Sequence, residues 1–298
     1  MTANLRWYWN RIKSYVGRPR LVIQHKPVVL DGAERCEHPL FVLGAHRSGT
    51  SLVRRMLNAH PEISCPPESF FIAHYAAMLD DGFCIAGYDG FGYDREAMRK
   101  DLADKASALH EALRIARGKS IWADKTPRYL DDAEAIDRLF AGKPRYLLVY
   151  RHPLDIVHSL FKRGWKQNDI EDDFESALAY VREAIERLDA FHANHPERCA
   201  RIEYGALCAD TAGVLRVALE KIGLDYHPAM LEFGSKQHNF GLEDPVIRGN
   251  LEIKPSAGAW RSWKDGMRAR AAEVFGKRAL EDDYWGTSGP VSRSAGRK

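Results

Sequence analysis

Apolar residues in this chain fall into short solid blocks, separated by longer charged stretches in which they recur every three or four positions. HPLFVLG, from His38, is a solid block that ends in glycine, the pattern of a buried strand. AHRSG follows as a turn, and TSLVRRMLNAH has helical spacing with Thr50 or Ser51 near its start. Between Asp94 and Arg117 the spacing predicts a long charged helix, with Met98, Leu102, Leu109 and Leu113 among its apolar positions. KSIWADKTP predicts a short strand that runs into a loop at Asp124. PRYLLVYRHP is apolar throughout its middle, which predicts a central parallel strand. PLDIVHSLFKRGW then opens a helix, with proline at its first position. Residues 172–193 predict a second long helix, ARIEYGAL a strand, and TAGVLRVALEKIG a helix stopped by Gly223. Strands alternating with helices predict an α/β fold with a parallel sheet.

The ends differ from this core. Arg6, Arg11, Lys13, Arg18, Arg20 and Lys26 all precede the first acid, Asp31. Leu5, Tyr8, Trp9, Ile12, Tyr15 and Val16 share one helical face, so residues 5–20 suit either packing on the protein or peripheral contact with an anionic membrane. Residues 1–37 are therefore expected as a basic amphipathic segment, 38–285 as the folded domain and 286–298 as a disordered tail. Residues 235–259 read as a long irregular loop, of the sort that often carries function.

Composition narrows the classes. Of 298 residues, 45% are apolar and 29% charged, which excludes wholesale disorder. No stretch reaches the ~20 apolar residues of a membrane span, and the first fifteen residues lack a signal-peptide core. Basic and acidic residues number 44 and 41, a balance that gives no argument for nucleic acid. The five cysteines form no CxxC pair and no cluster with histidine, so neither a disulfide framework nor a metal site is expected. A reducing compartment is the simplest expectation, with one or two bridges still open.

Gly44-Ala-His46-Arg47-Ser48-Gly49-Thr50-Ser51 has the glycine spacing of a phosphate-binding loop, with Thr50 where the lysine belongs. Two glycines let such a loop fold tightly and aim N–H groups at an anion, and the following helix adds its positive end. Arg47 offers a forked cation in place of the missing lysine. Without that lysine or an acidic strand end for Mg²⁺, the loop suits a shorter anion than a triphosphate. The alternative is a glycine-rich turn with no ligand. Arg151 ends the best strand and Ser159 follows eight residues on; ligands of open parallel sheets bind at such strand ends. Converging there, the two could form a second phosphate site; read alone, the pair is better explained as an ion pair and a helix contact.

Together these segments resemble the sulfotransferases that use 3′-phosphoadenosine 5′-phosphosulfate (PAPS). HRSGTSL resembles the RSGTTL form of that family's loop, and YRHPLDIVHS its RxPxDxxxS form. RIEYGALCAD is similar to its YExL segment, with Tyr204 at the aromatic position, and IKPSAGAWRSW to its C-terminal lid, with Lys254 and Trp260. The likeness runs from about His38 to Lys264. It implies a P-loop-like sheet flanked by helices, PAPS as co-substrate and no metal. It implies that Gly44, His46, Arg47, Ser48, Gly49, Thr50 and Ser51 hold the 5′-phosphosulfate. Arg151 and Ser159 hold the 3′-phosphate, and Tyr204, Lys254 and Trp260 complete the nucleotide site. The branch acting on small phenols and steroids carries lysine where Arg47 stands and usually an aromatic residue where Leu52 stands, so the chain resembles the carbohydrate- and tyrosyl-protein-modifying branch and its bacterial relatives. Golgi members begin with an anchor; the expectation here is a cytoplasmic, bacterial enzyme.

Sulfuryl transfer needs a cation at the leaving oxygen and a base for the acceptor proton. Arg47 suits the first need. Lys125, in DKTP after a strand, lies where the resembling branch contacts the transferring group; otherwise it is a surface lysine beside Asp124. Glu68, after Pro66 and Pro67 and before Phe70 and Phe71, sits where the tyrosyl-protein branch has its base, and the two aromatic rings suggest a raised pKa. Its plainer reading is a helix-start carboxylate. His46, His74 and His110 have no motif partner and read as structural. Trp122, Trp165 and Trp263 either line an acceptor groove or fill the core. Rival readings are a P-loop kinase of a nucleotide or metabolite and a non-catalytic, membrane-associated relative. The acceptor stays open among a carbohydrate, a glycolipid, a peptide and a small metabolite, as does the oligomeric state.

Overall fold

In a computed structural model, residues 35–166, 168–235, 252–253 and 256–286 are described. The expectations for residues 5–20, for Lys254, for most of the 235–259 loop and for the tail beyond Gly286 fall outside them. Strands β1 (Leu40–Leu43), β2 (Ile63–Ser64), β3 (Ile121–Asp124), β4 (Arg145–Tyr150) and β5 (Cys199–Glu203) form one sheet in the order β2-β3-β1-β4-β5, parallel throughout. The expected α/β fold is therefore present. Solid apolar strands result from burial on both faces. Leu40, Val42, Leu147 and Val149 pack to one side, and Phe41, Leu43, Tyr146 and Leu148 to the other. PRYLLVYRHP is an interior strand as expected, but β1 holds the centre.

The helices are α1 (Thr50–Ala59), α2 (Ile72–Ala77), α3 (Gly82–Gly90), α4 (Arg95–Ala116), α5 (Ala133–Leu139), α6 (Pro153–Phe161), α7 (Asp173–Asn194), α8 (Tyr204–Ala209), α9 (Thr211–Lys221) and α10 (Asp265–Phe275). The expected strand ARIEYGAL stops at Glu203, because its carboxylate accepts from the amides of Gly205 and Ala206 and starts α8 there. In α4, Met98 and Leu102 are buried as expected, but Leu109 is 68% exposed, and Ala106 and His110 continue the buried stripe. Trp122 and Trp263 fill core.

Chain order makes β1 the switch point: β2 and β3 build out on one side, β4 and β5 on the other. A crevice at the carboxyl ends of the strands is the binding place in such sheets. Gly44, Lys125, Arg151 and Tyr204 each directly follow one of the strands β1, β3, β4 and β5, and Glu68 lies four residues beyond β2.

Candidate active site

The loop after β1 is as tight as its sequence demands. A Cβ on Gly44 would lie 2.8 Å from the Val149 carbonyl oxygen and 2.8 Å from Ser48 Oγ, so only glycine fits. Gly49 has φ 104° and stands against the Tyr204 ring, 2.4 Å from where its Cβ would be. Arg47 is itself left-handed, with φ 72°. Gly49 caps α1 with no side-chain hydrogen bond, which leaves the helix end to the loop's own chemistry. Thr50 and Ser48 are buried, and among the described residues Ser48 Oγ has no hydrogen-bond partner.

The two anion sites expected from the sequence meet in one network. Arg47 Nε donates to Ser159 Oγ at 3.1 Å, and Arg151 Nη1 donates to the Arg47 carbonyl at 2.8 Å. Arg151 also donates through Nη2 to the Ser256 carbonyl and lies 4.7 Å from the Tyr204 ring centre. Its Nε is buried and unpaired among the described residues. A charged donor without an acceptor, beside a loop of donors, fits an oxyanion such as a phosphate.

Lys125 joins this loop to Glu68. Its ammonium, 3% exposed, donates to Ser51 Oγ at 3.1 Å and to Glu68 Oε1 at 2.6 Å. The alternative reading of Lys125 as a surface lysine fails: it is buried at the end of β3, beside the loop after β1. Glu68 has this ammonium as its partner, in place of the apolar surroundings expected from Phe70 and Phe71. Phe71 packs on His110 instead, with ring centres 5.7 Å apart.

His46 lies in the loop, its ring 4.6 Å from Trp165 and 6.1 Å from Tyr180, while its backbone N–H donates to the Tyr180 hydroxyl at 2.9 Å. Burial, reinforced by the charges of Lys125, Arg47 and Arg128, pushes the His46 pKa down to about 4. Neutral His46 is thus a weak base, and His74 is exposed on α2. Trp165 walls His46, a place between the two roles weighed for it.

The segment that carries Trp260 lies on the amino end of α6. Trp260 is buried and stacks on His152, with ring centres 5.4 Å apart. The Gly258 amide donates to Asp155 Oδ1 at 2.7 Å. Trp260, expected in a lid over the nucleotide, has the His152 ring as its stacking partner.

Residues with no sequence signal complete the site. Thr126 Oγ1 donates to Asp124 Oδ1 at 2.8 Å and accepts from the Ser69 amide at 3.1 Å. His110 Nε2 lies 2.9 Å from Asp124 Oδ2. His110 is thus a buried residue packed on Trp122 and Phe71, in keeping with its structural reading. Only DKTP, with two polar residues flanking Lys125, pointed toward this group.

The sulfotransferase family profile matches residues 39–228, and the chain belongs to that family. It is 33% identical over 135 residues to the nodulation protein NoeE of Sinorhizobium fredii, covering 42% of this chain and 31% of that protein. It is 22% identical over 196 residues to protein-tyrosine sulfotransferase 1 of Danio rerio, covering 64% and 55%. The matches thus span less than two thirds of these relatives. Among solved structures, the sulfotransferase domain of the Synechococcus PCC 7002 olefin synthase superposes with a TM-score of 0.56 at 23% identity, over 80% of this chain and 95% of that one. A mouse sulfotransferase complexed with PAP, the desulfated nucleotide, gives 0.51 at 13% identity, over 85% and 87%. At these identities the likeness establishes the fold, the α/β sulfotransferase fold.

Proposed function

We propose that this chain transfers a sulfuryl group from PAPS to a hydroxyl or amine of an acceptor. The observation that carries the reading is Lys125, one buried ammonium that bonds the anion loop through Ser51 and the candidate base Glu68 at once. PAPS supplies the activated sulfuryl group and the leaving phosphate. Arg47, Lys125 and the loop amides meet the charge that builds on the leaving oxygen. Glu68 takes the acceptor proton as the acceptor's oxygen or nitrogen bonds to sulfur and the bridging S–O bond breaks. Arg151 and Ser159 hold the 3′-phosphate; the unpaired Arg151 Nε supports this role. Tyr204 packs beside them, and Trp260 would close over the nucleotide.

Membership in the sulfotransferase family disfavours the kinase reading. Arg47, Lys125, Glu68, Arg151 and Ser159 standing together disfavour a non-catalytic relative. A cytoplasmic location, with residues 5–20 either packed on the protein or in peripheral contact with a membrane, is part of the proposal; no helix among the described residues is long and apolar enough to cross a membrane.

Calorimetry with PAP and with 5′-AMP tests the nucleotide. One charged hydrogen-bonded contact is worth ~1.5–3 kcal/mol, so PAP is expected to bind at least tenfold tighter. Sulfate transfer from PAPS to a panel of tyrosyl peptides, oligosaccharides and phenols tests the chemistry. Equal affinity for the two nucleotides, or a panel without transfer, counts against the reading.

A further inference from the structure

We propose that Thr126, backed by Asp124 and His110, is a positioning residue that fixes the Glu68 loop. This deepens the reading of Glu68 as the base and rests on it. Asp124 ends β3 with its side chain buried, and its two oxygens face different partners. The Thr126 hydroxyl gives its proton to Oδ1 at 2.8 Å. That bond turns an oxygen lone pair outward, where the Ser69 amide donates to it at 3.1 Å. Ser69 directly follows Glu68, so the base hangs from a buried carboxylate through one hydroxyl.

His110 lies behind, its Nε2 2.9 Å from Asp124 Oδ2, too oblique for an aligned hydrogen bond. Its ring is held by Trp122 at 4.8 Å and Phe71 at 5.7 Å.

A second clamp acts on the same loop. The Tyr129 hydroxyl lies 2.7 Å from Ser69 Oγ and accepts from the Ile72 amide at 2.9 Å. Between these clamps Phe70 is left-handed, with φ 64°. A bulky residue keeps that conformation only where its surroundings over-determine it. The same DKTP segment sends Lys125 to Glu68 from the other side. Base and cation are thus set by adjacent residues of one rigid strand end, the arrangement a positioned proton transfer requires.

Thr126→Val keeps shape and removes both hydrogen bonds, while Thr126→Ser keeps the hydroxyl. Both are compared with Glu68→Gln and with Thr126→Val/Glu68→Gln. The measurements are PAP affinity, hydrogen exchange of amides 66–72, and release of sulfate from labelled PAPS to water and to a tyrosyl peptide. Thr126→Val is expected to keep PAP affinity within about twofold, to speed exchange in 66–72, and to lower turnover about 10- to 100-fold. Thr126→Ser is expected to restore both, and Thr126→Val to add little once Glu68 is gone. Should the valine chain fail to bind PAP, Thr126→Ala takes its place. Unchanged exchange and turnover in the folded variant, or an equal loss in the Glu68→Gln background, overturns the proposal. If Glu68→Gln itself keeps wild-type turnover, the base assignment falls, while exchange still reports whether Thr126 holds the loop.

Discussion

Replacing Glu68 by glutamine separates three consequences of one ion pair. The lysine end is 3% exposed and the carboxylate end 21%, so the pair lies between the surface and the interior. Exposed pairs contribute ~0–1 kcal/mol, and breaking a fully buried pair costs ~3–5 kcal/mol. Glu68→Gln is therefore expected to destabilise the free chain by about 2 kcal/mol, because Lys125 keeps Ser51 Oγ but loses its counter-charge. That loss lowers Tm by about 4–8 °C on the scale of larger domains. An anion in the loop restores the counter-charge beside Lys125, so the variant is expected to bind PAP more tightly than wild type, by up to ~30-fold. Turnover is expected to fall ~10²–10⁴-fold, since an amide takes no proton at neutral pH. Thermal unfolding with and without PAP, calorimetry and sulfate transfer at saturating PAPS read the three effects. A variant with unchanged Tm and unchanged PAP affinity would refute the claim that Lys125 is shared between Glu68 and the anion. Unchanged turnover would refute Glu68 as the base.

Gly49→Ala puts a Cβ at φ 104° and 2.4 Å from Tyr204, so a loss of ~2–4 kcal/mol is expected by chemical unfolding; adding Tyr204→Ala should recover the packing part alone. Arg151→Ala should weaken PAP binding at least tenfold and 5′-AMP binding little, with the melting curve kept close to wild type. His46 titrates lower in the folded chain than its ordinary 6.5, so the unfolded chain takes up the proton first. Its contribution is full above pH 6.5 and is lost as pH falls toward about 4, by up to ~3 kcal/mol; a His46→Gln chain should show a flatter decline in urea titrations. Activity should survive EDTA, and loss restored by Mg²⁺ would count against a loop that works without metal.

What the sequence disclosed follows from range. The β1 strand, its glycine loop and α1 are contiguous, and each step is dictated locally by burial on both faces, by glycines that close tightly and by helical spacing. Arg151 and Ser159 stand at a strand end and in the helix after it, but only the resemblance, not their local pattern, marked them. The support of Glu68 was not legible, because its parts come from α4, β3 and the loop after β2. The rotation of α4 decides whether Leu109 or its neighbour faces inward. His110 goes in because Asp124, Trp122 and Phe71 await it there, and Leu109 is left at the surface. Glu111 is buried beside it for a similar reason, accepting from Arg114, Trp122 Nε1 and the Cys36 amide. Apolar periodicity carries no term for such polar partners, so it misplaced this face.

The same distinction of range explains why the two proposed anion sites, read from separate segments, share one network. Arg47 shares its side chain with Ser159 and its carbonyl with Arg151. Its left-handed backbone is thereby held by groups assigned to the 3′-phosphate, although the residue belongs to the 5′ loop. Tyr204 touches both, against Gly49 on one side and the Arg151 guanidinium on the other. Under the proposed assignment, an anion engaging Arg151 would act on the backbone of the loop after β1, with no intervening element. In a sheet whose strands all end at one edge, that coupling needs only the residues that directly follow β1, β4 and β5, with Ser159 from the helix after β4.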